Sequence, residues 1–230
     1  MITRYITSAL FAGALTGLIA GLLQLYFVQP VLLHAELYEI GALTHFGADP
    51  VSAHPELPGF DPMRDGLSII FTMLTYTGYA LMLVAVMSIA EERGAAVDGR
   101  TGLIWGIAGF VAFHLAPGFS LAPEVPGVAA ADVTARQIWW FATAGAAAAA
   151  LWLIGFGKSW VAWGVAVILL LAPHVIGAPE PDTFTGPVPT EIGALFAARA
   201  FGVGLAAWVL LGCLAGTFWQ SEGARERGTA

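Results

Sequence analysis

Five histidines, His34, His45, His54, His114 and His174, are the side chains of this 230-residue sequence best suited to chemistry. Imidazole is the commonest metal ligand among side chains and changes charge near neutral pH. The stretch His114-Leu115-Ala116-Pro117-Gly118, followed by Pro123-Glu124-Val125-Pro126-Gly127, puts an imidazole, a carboxylate and a constrained backbone at one helix end. Ala172-Pro173-His174 through Pro179-Glu180 repeats these ingredients. Proline removes an amide donor and limits how a helix continues, and carbonyls freed there suit a cation if protein or water shields them from lipid. A third polar stretch holds His34, Glu36, Glu39, His45, His54 and Glu56. Co2+ or Ni2+ accepts imidazole and carboxylate together. The candidate ligands are His114, His174, Glu124 and Glu180, with His34 beside them. Their spacing matches no fixed metal motif, so such ligands must converge in three dimensions. The competing reading at each position is an ordinary solvated or interfacial residue.

The elements that position these groups are membrane helices. The chain is 58% hydrophobic and 11% charged, with mean hydropathy +0.77, whereas soluble domains carry roughly 25% charged residues. So few charges do not cover a soluble surface, and the fold class is an all-α, polytopic membrane bundle. Six stretches approach the ~20 apolar residues of a span: about 7–28, 67–90, 101–117, 138–156, 160–176 and 192–219, with the third and fifth short. They form three predicted hairpins within one membrane domain (1–220), with a cytoplasmic tail over 221–230. The apolar run that follows Arg4 is far longer than the ~7–15 residues of a signal-peptide core, so it reads as a retained span. The loop Gly157-Lys158-Ser159 is so short that the fourth and fifth spans form an antiparallel pair.

Lysine and arginine in short loops set orientation. Arg4, Arg93, Arg100, Lys158, Arg225 and Arg227 fall on one side, and Arg64, Arg136 and Arg199 on the other. This split places both termini in the cytoplasm. All five histidines and most acids, Asp49 among them, then face outward. Tyr26, Trp139 and Trp140 mark the outer interface; Tyr5, Trp105, Trp160 and Trp219 mark the inner one. Gly13, Gly17 and Gly21, Gly102 and Gly106, and Gly212 and Gly216 predict close helix packing seams. Arg199, about two turns into the sixth span, either pairs with Glu191 or another outer acid or snorkels to the interface. Arg136, four residues after Asp132, is expected to make a local pair.

A weak hairpin plan reads three times: proline near an outward helix end (Pro30, Pro117, Pro173), a nearby histidine (His34, His114, His174), an acidic loop, then an arginine (Arg64, Arg136, Arg199); the competing reading is coincidence within a shared membrane composition. Parallel repeats of this kind occur in transporters. Other chemistry is not encoded. Cys213, the single cysteine, excludes an internal disulfide and cysteine-based metal sites and reads as a packing residue. A net charge of −7 does not suit nucleic acid. Gly157-Lys158-Ser159 mimics a P-loop tail, but Trp152 stands at the required glycine. No nucleophile–base pair is evident, so an enzyme is not expected.

The stretch from His114-Leu-Ala-Pro-Gly through Pro123-Glu-Val-Pro-Gly, then Arg136-Gln-Ile-Trp-Trp, then Ala172-Pro-His-Val-Ile-Gly-Ala-Pro-Glu-Pro, resembles the CbtA family of predicted cobalt transporter subunits. The resemblance runs along nearly the whole chain, and its specific part lies between Phe113 and Pro181. It implies a multi-pass protein of the bacterial inner membrane, linked to cobalt uptake for cobalamin, with Co2+ as the carried ion and no permanently bound cofactor. It also implies a small single-span partner, CbtB, with a histidine-rich end. The family is described with five spans, against six read here. His114, Glu124, His174 and Glu180 carry over as candidate ligands by position. The alternative reading is a non-transporting structural or accessory subunit of a larger membrane complex.

Overall fold

A computed structural model describes residues 2–45 and 51–228, with side chains described as far as Arg225. Asp49 and the Arg227 side chain, both used in the charge argument, lie outside the described residues. Regular structure among the described residues is helical throughout. The helices are α1 (Ile2–Leu23), α2 (Gln29–Glu39), α3 (Pro62–Glu92), α4 (Gly99–Phe110), α5 (Ala116–Ser120), α6 (Val133–Phe156), α7 (Trp160–Ile176) and α8 (Thr190–Gly228).

Five stretches among the described residues are long and apolar enough to cross a bilayer: Ile2–Glu39, Pro62–Glu92, Gly99–Ser120, Val133–Phe156 and Thr190–Arg225. The remaining predicted span is α7, whose 17 residues rise about 26 Å, short of the ~30 Å hydrocarbon core. The fold is thus a polytopic helical bundle with five full-length spans and a shorter apolar helix.

Two boundaries differ from the sequence reading for one reason. Pro30 and Pro117 were expected near helix ends, yet the helix continues past both. Each proline follows a π-helical turn, Gln24–Val28 before Pro30 and Val111–Leu115 before Pro117. In an α-helix the proline ring clashes with the carbonyl four residues back and leaves it without a donor. A wider turn absorbs that defect without ending the helix. His34, Glu36 and Glu39 therefore lie on α2, not in a loop.

Side-chain caps define the starts of α3, α4, α6 and α7. Asp61 accepts from the amides of Met63 (2.8 Å) and Arg64 (3.1 Å) at the head of α3. Asp98 accepts from Arg100 and Thr101, both at 2.8 Å, at α4. Asp132 accepts from Ala135 (2.9 Å) at α6, and Ser159 from Ala162 (3.2 Å) at α7. Each satisfies amides that a helix start leaves without partners. The α7 helix ends at Gly177, whose φ of 95° suits a residue without Cβ.

The chain divides into two compact units. One comprises residues 1–26, 60–110 and 202–230. Its glycine seams are as predicted: a Cβ on Gly13 or Gly17 would run into the α3 backbone at Thr77 or Met73, and Gly21 lies against Ile69. Gly102 and Gly106 of α4 interlock with α8, where a Cβ would strike the carbonyls of Gly212 and Trp208. The end predicted to face inward is stapled by Arg4. Its guanidinium donates to the Trp219 carbonyl (2.9 Å), lies 3.8 Å from the Trp219 ring centroid, and grips both oxygens of Glu91 at 3.2 Å. Trp219 is therefore packed inside the protein.

The other unit comprises residues 27–59 and 111–201. Here α6 packs antiparallel against α7, as the short loop between them predicts, and the π turn and α5 also pack on α6. A small apolar core joins Val31, Ala35 and Tyr38 of α2 to Val125, Val188 and Ile192. The proline-rich loops over 121–132 and 177–189 meet there, where the Ala129 amide donates to the Thr185 carbonyl (2.8 Å).

Candidate metal site

All five histidines belong to this second unit, together with Glu124 and Glu180. The sequence argument grouped them by membrane side; the fold groups them in one compact body.

His174 has the most defined setting. It occupies the last turn of α7, beside Pro173. Its Nδ1 lies 2.8 Å from the Ser120 hydroxyl at the end of α5. The rings of Phe119 and Trp139 meet it nearly edge-on, with centroids 5.1 and 6.0 Å away. Trp139 is itself buried, and its indole N–H donates to the Pro173 carbonyl (3.3 Å). This tryptophan holds the backbone next to the imidazole. Nε2 of His174 has no partner among the described residues.

His34 lies half-buried on α2, its ring 5.6 Å from Tyr38, and its Nε2 is buried without a hydrogen-bond partner. Buried polar atoms in proteins are normally paired, so this nitrogen is a lone pair or proton in need of a ligand. His54 is close enough to act on it electrostatically. Its own backbone amide is held by the Ser52 hydroxyl (3.1 Å). His114 is half-buried within the π turn Val111–Leu115.

The two carboxylates differ. Glu124 is engaged by Arg136 at 2.7 Å. The expected local pair of Arg136 with Asp132 is corrected: the Asp132 side chain is committed to its cap at Ala135, which leaves the arginine to reach back to the loop. Glu180 is exposed and has no partner among the described residues. No three His, Cys, Asp or Glu side chains among the described residues form a metal-sized cluster. The candidates thus share a unit but do not form a closed cage.

Arg199 finds a backbone partner. It donates to the Phe27 carbonyl at 3.0 Å, within the π turn ahead of Pro30. A charge inside a span finds its partner on backbone that proline has loosened. Sequence reasoning missed this bond and the Ser120–His174 bond alike. Residues 172 and 54 positions apart obey no spacing rule.

Among the described residues the arrangement presents single imidazole nitrogens, at His174 and His34, and no multi-ligand cluster. The CbtA family, described as a probable cobalt transporter subunit, matches residues 2–220. No curated protein and no solved structure matches. With five membrane-length helices and a family match from the first helix into the last, the chain is a multi-pass membrane protein that belongs to the CbtA family of probable cobalt transporter subunits.

Proposed function

We propose that this protein is the membrane subunit of a divalent-metal uptake system, with Co2+ as its cargo, in the inner membrane of a bacterium and in the service of cobalamin supply. The observation that carries the reading is the gathering of all five histidines in one compact unit of a CbtA-family chain. Both termini lie in the cytoplasm and the histidine-bearing ends face outward. His174 and His114 each offer the ion an imidazole toward the mouth of the bundle, and Glu180, Glu124 and His34 are further single ligands along its route rather than members of one cage. Co2+ accepts this mixed nitrogen and oxygen set. Ligation requires neutral imidazole, so affinity falls as pH drops.

An incomplete ligand set suits transport, because a cargo must leave as well as bind. Water or a single-span CbtB-like partner with a histidine-rich end completes the coordination. The test is cobalt accumulation by cells carrying the wild-type chain or the His114→Ala/His174→Ala double variant. Loss of accumulation in the double variant supports the assignment, and unchanged accumulation rejects these two imidazoles. The second reading, a non-transporting accessory subunit, draws on the lack of a three-ligand cluster among the described residues. It predicts stable co-purification with a larger complex and no metal accumulation.

A further inference from the structure

We infer that Ser120 is the positioning residue for His174: its hydroxyl holds Nδ1, so that a divalent ion is taken through Nε2. The inference rests on the proposed reading that His174 is a metal ligand. The Ser120 oxygen lies 2.8 Å from Nδ1, while Nε2 has no partner among the described residues. The ring is bordered by the buried Trp139 and the exposed Phe119, at interplanar angles of 67° and 78°. The backbone beside it is fixed as well, because the Pro173 carbonyl accepts from both the Trp139 indole and the Gly177 amide. Which nitrogen faces outward is therefore decided by what holds the other.

A hydroxyl suits both states of a ligand that loads and unloads. It is at once a donor and an acceptor. With Nε2 protonated, the Ser120 O–H donates to Nδ1. When the ion coordinates Nε2, the single ring proton resides on Nδ1 and the Ser120 oxygen accepts it. The neutral ring exchanges one tautomer for the other through solvent, with no change in its proton count and no rotation. Metal-ligating histidines commonly donate their second nitrogen to such a partner, which fixes tautomer and orientation. A carboxylate in this role would add a charge; a serine supplies the geometry alone.

The test uses the full-length chain with 15N-labelled histidine, compared as wild type, Ser120→Ala and Ser120→Thr. Without metal, the wild type and Ser120→Thr should show the Nδ1 resonance of a hydrogen-bonded ring nitrogen, and Ser120→Ala should lose it. With Zn2+ as a diamagnetic probe, the wild type should show coordination at Nε2 and protonation at Nδ1. Loss of a partner of this kind typically costs about 10–100-fold in metal affinity, so Ser120→Ala should weaken Zn2+ and Co2+ binding to that extent and Ser120→Thr should restore it. Zn2+ bound through Nδ1, or identical metal-free spectra for wild type and Ser120→Ala, overturns the inference. If the wild type binds no metal, the transport reading fails by itself, while the metal-free spectra still decide whether Ser120 positions the ring.

Discussion

The same substitution, glycine to alanine, should change stability in opposite directions at different positions of this bundle. At Gly102 a Cβ runs into the Gly212 carbonyl and lies 3.2 Å from the Cys213 Cα; at Gly212 it meets the Gly102 carbonyl and the Gly106 backbone. Those obstacles are main chain, which cannot swing aside as a flexible side chain does. Overpacking of a tight core costs about 1–3 kcal/mol, and obstruction by backbone on both helices puts Gly102→Ala at the upper end. Alanine recovers about 1 kcal/mol of helix propensity, so the expected net loss is ~2 kcal/mol. At Gly145 and Gly164 a Cβ meets nothing within 4 Å, so alanine there should gain up to ~1 kcal/mol. Gly102→Ala/Gly212→Ala should cost less than the sum of the single changes, because one contact is broken once. Reversible unfolding in mixed micelles, followed by far-UV circular dichroism, gives the ranking. Equal effects at Gly102 and Gly164 would refute the interlocked seam.

At the Arg4 staple, ring stacking and the carbonyl bond should outweigh the ion pair. Glu91 is 41% exposed at its side chain, and exposed pairs are worth about 0–1 kcal/mol, whereas a desolvated cation–π contact reaches about 2 kcal/mol. Arg4→Lys should therefore destabilise more than Glu91→Gln in the same unfolding assay, with a change in tryptophan fluorescence only for Arg4→Lys. At Asp98, the Thr101 amide first, then the Thr101 hydroxyl and the Arg100 amide, hold the carboxyl below its ordinary value of 3.8. A depressed folded value means that this cap stabilises α4 above the ordinary value and is lost as pH falls through the folded one. Hydrogen exchange in the first turn of α4 should accelerate only below that range, and in Asp98→Ala it should be fast at every pH.

Local rules made much of the fold legible. Apolar runs located the five membrane-length stretches and the shorter α7 among the described residues, the loop at Lys158 identified the α6–α7 pair, and glycines four residues apart marked both seams. The proline signal failed in a specific way. A proline was read as a helix end at Pro30 and Pro117, but a π turn lets the helix absorb it, and no periodicity distinguishes the two outcomes. The Asp132–Arg136 pairing failed because a residue at a helix start has two uses for one carboxylate, and the cap won. At the candidate site, residue types and neighbourhood were legible: His174 beside Pro173, His114 before Pro117. Their partners were not, since Ser120, Trp139 and the Phe27 carbonyl are brought in by tertiary packing.

The central claim is that outward-facing imidazoles of this unit admit Co2+ to the cell. The initial rate of cobalt entry at limiting external Co2+, in cells lacking other cobalt uptake, tests it most directly. The account predicts entry that depends on the wild-type chain and collapses in the His114→Ala/His174→Ala variant present at equal level in the membrane. Entry at the same rate with the wild type, the variant or no chain at all would contradict it.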